Sequence, residues 1–219
     1  MIPVSEFFPI WNSLTAVQKQ MLENAAVKKS AQGGTVLHSG NDDCMGLVLV
    51  SSGQLRVYTT SDDGREITLY RLLERDICLF SAACMMSSIQ FELQVSAERD
   101  TEFWLVSSEA YSALMKESAP IANFTNSIIA SRFTEVMWLM DQLLWKRMDQ
   151  RIARFLIDEA ALNDSLTLKL THEAIANHLG TAREVVTRML KYFQGEGAVK
   201  LSRGAVEILD AERLERISE

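Results

Sequence analysis

The chain has 219 residues and is short of several kinds of residue at once. It has three cysteines, Cys44, Cys78 and Cys84, an odd number that builds no disulfide scaffold and points to reduced thiols in the cytoplasm. Its longest unbroken apolar run is Met45 to Val50, counting Gly46, far below the ~20 residues a bilayer helix needs. Glu6 and the lack of a basic lead argue against a signal peptide. Positive charge is also short, with 22 Lys and Arg against 29 Asp and Glu, a net charge of −7. At first sight that balance speaks against nucleic acid as a partner. Hydrophobic residues at 47% and charged residues at 23% exclude a disordered chain.

Turn signals recur at short, even spacing through the first 120 residues. They are Gly33-Gly34, Ser39 to Asp43, Ser51-Ser52-Gly53 and Ser61 to Gly64. Strand-like runs lie between them, at Leu47–Val50, Leu55–Thr59 and Glu66–Leu73. Further on, Phe91 to Ala97 alternates strictly, with Phe91, Leu93, Val95 and Ala97 on one face, and Glu102–Val106 follows. Strands at this spacing predict a β-roll or barrel over residues 1–120. The opening 30 residues are expected to be helical, with Leu14, Val17, Met21 and Leu22 near helical spacing. From Ile77 to Phe91 no residue is charged. Such a stretch packs a core or lines a sensing pocket.

Proline is scarce, and the third of only three, Pro120, stands where the strand pattern stops. Proline in a first helical turn costs nothing, because its missing N–H would be unpaired there. No Gly or Pro follows until beyond Met148, which predicts one helix over 121–148, ~42 Å long at 1.5 Å per residue. Ile129, Phe133, Val136, Met140 and Leu143 recur at spacings of 4, 3, 4 and 3, a narrow a/d seam suited to pairing two copies of the chain.

Residues 149–219 form the third segment. Thr171 can cap a helix bearing Ile175, Ala176 and Leu179, and Gly180 can end it. Thr181 is expected to cap a second helix, with Val185, Val186, Met189 and Leu190 inward. Two short helices about a glycine turn make a helix-turn-helix. The run from Ala198 to Leu209 reads as a β-hairpin wing with Arg203 at its tip. The second helix exposes Arg183, Glu184, Thr187 and Arg188. Arginine can bond guanine O6 and N7, and glutamate can accept from cytosine N4, so this face suits a G·C-containing half-site. Glu184 also fits a capping box with Thr181, which would tie it to its own helix. Lys191 and Arg203 suit phosphate. The local charge from Thr171 to Gly204 is +2.

A β-roll, a long helix and a winged helix-turn-helix in that order give an α+β chain that resembles the Crp/Fnr family of bacterial transcription regulators. Ala182 to Leu190 carries the resemblance most specifically, with Arg183, Glu184 and Arg188 at the family's base-reading positions. Gly33, Gly40, Gly53, Gly64 and the Ala97–Glu102 turn fit the β-roll. The resemblance implies a homodimer on a palindromic operator in double-stranded DNA, with RNA polymerase as a further partner.

The departures concern the signal. Family members that bind cyclic nucleotides place a Gly-Glu pair on the ribose and an arginine on the phosphate. Here those positions fall at Leu79-Phe80 and about Phe91, so cyclic AMP is not expected to bind, although a cyclic-nucleotide response remains the alternative reading. An iron–sulfur cluster needs more thiolates than the chain has. His38, the only histidine of the β-part, is a weak basis for haem. The candidates that remain are a small apolar ligand, with Phe80, Ser81 and Phe91 in the sensor segment, or a redox change at Cys78 and Cys84. An enzyme on a cupin-type barrel lacks its histidine cluster, and neither His-x-His nor Gly-x-Ser-x-Gly occurs. An interaction module without DNA would leave Arg183 and Arg188 unexplained.

Overall fold

A computed structural model describes residues 1–39, 46–78 and 93–219. Packing divides the chain into two units, residues 1–59 with 69–137 and residues 60–68 with 138–219.

The first unit opens with two 3-10 turns, Val4–Phe7 and Trp11–Ser13, and helix α1 (Ala16–Ala25). The Thr15 side chain accepts from Gln18 N, and Gln18 reaches back to Thr15 N, a reciprocal capping box. The helical opening thus ends at Ala25. Ala26–Ala31 is strand β1 instead, paired with β8 (Thr101–Val106) from Ala26↔Val106 to Ala31↔Thr101. Residues 27–30 are exposed, so no burial pattern announces this strand; its partner 75 residues away creates it.

The remaining strands of this region are β2 (Val36–Ser39), β3 (Leu47–Ser52), β4 (Leu55–Thr60), β5 (Glu66–Leu72), β6 (Ile77–Cys78) and β7 (Gln94–Ala97). They form two four-stranded sheets, ordered β1-β8-β3-β6 and β2-β7-β4-β5. Of the expected strand from Phe91, Val95 and Ala97 are buried as anticipated, while Phe91 lies outside the described residues. One apolar cluster joins the N-terminal turns, α1, β3 and β8, with Phe8, Leu22, Leu49 and Tyr111 at its centre. A second joins β3, β4 and β7 through Val50, Leu55, Val57 and Val95.

Helix α2 (Ser108–Glu117) follows β8 and was not expected. Ser107 caps it by accepting from Ala110 N, and Tyr111 and Leu114, three apart, are its buried face. The long helix α3 runs over Ala119–Trp145, starting and stopping earlier than the 121–148 expected. Its end needs neither Gly nor Pro. Arg147 turns extended, and its N–H is taken by Gln150 Oε1 at 2.9 Å, so a new helix, α4 (Met148–Asn163), starts with its donor satisfied.

The second unit gathers α4, β9 (Thr167–Leu168), α5 (His172–Leu179), α6 (Arg183–Gly195), β10 (Val199–Ser202), β11 (Ala205–Ile208) and α7 (Ala211–Ser218). A three-stranded sheet, β10-β11-β9, backs the helices. Ile152, Leu156, Ile175, Val186, Leu190 and Phe193 form its core.

Gly53 separates β3 from β4 at φ +91°, and a Cβ there would meet Asp100 O at 2.4 Å. Gly64 has φ +78° but open space around it. Gly64→Ala should therefore cost only the left-handed strain, about 1–2 kcal/mol. Gly53→Ala adds a backbone clash and should cost more than about 2 kcal/mol; equal losses of melting temperature for the two would contradict this account.

Candidate nucleic-acid interface

Thr171 starts the helix-turn-helix as anticipated, accepting from Ala174 N at 3.0 Å to cap α5. Gly180 ends α5 at φ 65°, ψ 38°, the left-handed geometry that glycine adopts without strain. Arg151 of α4 is buried, and its Nη2 donates to the Leu179 carbonyl at 2.6 Å. Burial lowers the Arg151 pKa from its usual value. Nothing in the sequence marks this residue out, because α4 also carries Asp149, Arg154 and Asp158.

Helix α6 begins at Arg183 with Ala182 as N-cap, and no side chain caps it. The expected Thr181 cap is therefore not formed, nor is the capping box that would have occupied Glu184. The turn from Gly180 delivers Ala182 rather than Thr181 to the first half-helical position. Val186 and Leu190 are fully buried, with Val185 and Met189 partly so. Their burial turns the opposite face outward. Arg183, Glu184, Arg188 and Lys191 are exposed and Thr187 is half-buried; together they line one cleft of about 370 Å³. Arg183, Thr187 and Lys191 lie one turn apart on one stripe, with Glu184 and Arg188 on the next. Thr181 is half-buried at the turn. Arg203 stands exposed at the tip of the β10–β11 hairpin, as expected of a wing.

The seam residues lie on α3, with Ile129 and Val136 partly buried and Phe133, Met140 and Leu143 exposed. The exposed apolar band is wider than the expected seam. Trp138 is 52% exposed, Leu144 67% and Trp145 77%.

Of the sensor candidates, Cys78 is described. It is a buried cysteine on β6, opposite Val48. Phe80, Ser81, Cys84 and Phe91 lie outside the described residues. A feature the sequence did not suggest is a cavity of about 340 Å³ lined by Phe7, Arg75, Asp76, Ile77, Phe124 and Arg132, among others. Its guanidiniums already face carboxylates: Arg75 pairs with Glu6 at 3.0 Å, and Arg132 with Glu135 at 2.8 Å. The Arg132 guanidinium also lies over the Tyr70 ring at 5.0 Å. Among the described residues no group of three or more His, Cys, Asp and Glu is placed to hold a metal ion, and no helix is long and apolar enough to cross a membrane.

A β-roll followed by a winged helix-turn-helix defines an effector-domain transcription regulator that binds DNA. Comparison with known proteins agrees. Residues 28–118 match the cyclic nucleotide-binding domain model, and residues 150–217 the Crp-like helix-turn-helix domain model. A solved structure of a Crp/Fnr-family transcriptional regulator from Eubacterium rectale is 54% identical, with a TM-score of 0.94, over 97% of this chain and 98% of its own. The cyclic AMP receptor protein of Thermus thermophilus is 29% identical over 85% of each chain. The transcriptional activator protein anr of Pseudomonas aeruginosa is 24% identical over 91% of this chain and 84% of its own. The chain belongs to the Crp/Fnr family.

His172, the first residue of α5, faces this cleft's charges. Burial lowers its pKa from the usual value, and Arg183 and Lys191 lower it further. The unfolded chain, with a reference pKa of about 6.5, therefore takes the proton first. The stability that neutral His172 contributes is present above that reference and is lost as pH falls through it toward the folded value. An NMR titration of the His172 ring should show a midpoint below about 6.5, and His172→Gln should flatten this part of the stability–pH profile. A midpoint at or above the reference would show that the cationic surroundings do not act on the ring.

Proposed function

We propose that the chain acts as a homodimer on a palindromic operator, reading base edges with Arg183, Glu184 and Arg188 and signalling from its β-roll. The observation that carries this is the shared exposed face of α6, where two arginines, a glutamate and a lysine surround one cleft. Arginine offers guanine O6 and N7 two parallel donors, and an uncapped Glu184 is free to accept from cytosine N4. Lys191 and the wing-tip Arg203 set register on phosphates. Thr181 stands at the turn, placed for a backbone contact.

The dimer reading rests on α3. A band of exposed Phe, Met, Leu and Trp is large enough to need cover, and its repeat suits a second copy of the same helix. Two copies related by a two-fold axis would present two recognition helices to a palindrome.

The effector remains within the β-roll. Cyclic AMP is disfavoured by the uncharged residues at the ribose- and phosphate-binding positions. Between the two remaining classes, burial of Cys78 favours a small apolar ligand, because a reactive thiol needs solvent and positive charge beside it.

Arg183→Ala and Arg188→Ala should each remove about 1–3 kcal/mol of discrimination at one base pair, leaving the dimer intact. Unchanged half-site preferences in a binding-and-sequencing selection would refute the readout. Phe133→Glu with Met140→Glu should weaken dimerisation ~10³-fold or more, since each buried apolar side chain is worth about 1.5–3 kcal/mol. Sedimentation showing an unaltered dimer would place the interface elsewhere.

A further inference from the structure

Thr187 lines the reading cleft, yet its hydroxyl is already committed to the protein. It donates to the Arg183 carbonyl, one turn earlier, at 2.9 Å. The same oxygen lies 2.9 Å from His172 Nδ1. A hydroxyl has one proton, and a carbonyl can only accept. The Thr187 proton therefore goes to Arg183, and the hydrogen of the second bond must sit on Nδ1, which donates to Thr187 Oγ1. The imidazolium meets that requirement, and so does the Nδ1–H tautomer of the neutral ring.

His172 is itself well held. It is the first residue of α5, directly after the Thr171 cap. The bond thus runs from the first helix of the motif into the middle of the second. It selects one χ1 rotamer of Thr187 where a free threonine in a helix divides between two. With the hydroxyl engaged on two sides, the group Thr187 has left for the cleft is its methyl. The distinction matters on DNA. A free Thr hydroxyl bonds donors and acceptors alike and discriminates poorly, whereas a Thr methyl packs against the C5-methyl that only thymine carries in the major groove.

We propose that His172 is a specificity-determining positioning residue: by holding the Thr187 hydroxyl it makes this position of α6 read a thymine methyl group. The inference rests on the DNA reading given above and adds a base to it. Arg183, Glu184 and Arg188 account for G·C pairs; Thr187, locked by His172, adds an A·T pair between them.

The test is a binding-and-sequencing selection on the full-length protein, run in parallel for wild type and variants. Wild type should prefer thymine at one position per half-site by ~4-fold, the equivalent of one buried methyl group. Thr187→Ser, which keeps the hydroxyl and deletes the methyl, should abolish that preference alone. His172→Ala should relax the same position and no other, and His172→Asn, which restores an N–H donor, should recover it. In a Thr187→Val background, whatever effect that change has by itself, His172→Ala should add nothing, because no hydroxyl remains to hold. Melting curves identify any variant that fails to fold, and the Ser and Asn substitutions are the mildest of the set. The proposal is overturned if Thr187→Ser keeps the thymine preference, or if His172→Ala acts equally with Val at 187. A wild-type protein that selects no sequence at all would instead overturn the DNA reading, and this proposal with it.

Discussion

The carbonyl of Leu179 is the point on which the DNA-reading half depends. It is the last carbonyl of α5, and helices leave such groups without an internal partner. Here a buried guanidinium from Arg151 takes it, while Gly180 supplies the left-handed turn beside it. A hydrogen bond from a charged donor is worth about 1.5–3 kcal/mol, and a buried carbonyl left bare costs a similar amount. The bond holds the end of α5 in place beside the Gly180 turn that leads into α6. Val186, Leu190 and Phe193 then fix by burial which face of α6 is turned outward. The exposed arginines are positioned by residues that never touch solvent.

Local features were legible in the sequence, and long-range ones were not. Thr171, Gly180 and the apolar spacing of α6 are signals that act within a few residues, and each appears where the pattern placed it. The wing was legible for the same reason. β1 was not, because residues 27–30 bury nothing and become a strand only through pairing with β8. The break after Trp145 was hidden too, because it rests on a Gln side chain rather than on a helix breaker. Thr181 looked like a cap on composition, yet the turn hands that position to Ala182. At the candidate site, the arginines could be picked out by type and spacing. Arg151 and His172 could not, since their importance lies in which carbonyl or hydroxyl the fold brings to them.

Charge shows the same division between total and arrangement. A net charge of −7 says little about one helix face that sets Arg183, Arg188 and Lys191 against a single Glu184. What the acidic remainder does imply is weak attraction to DNA in general, since non-specific affinity scales with the number of phosphates neutralised. On the proposed reading, specificity would then rest on base contacts. The same contrast marks the β-roll, where Arg75 and Arg132 are present but already matched by carboxylates.

The wide apolar band on α3 has a consequence for how much of the protein a cell must make. If two chains must meet before either reads DNA, the active species follows the square of chain concentration while most chains are single. Doubling synthesis would then raise operator occupancy about fourfold until the dimer predominates. Phe133, Trp138, Leu144 and Trp145, by setting the strength of that pairing, would set the expression level at which the gene's own dosage becomes a signal.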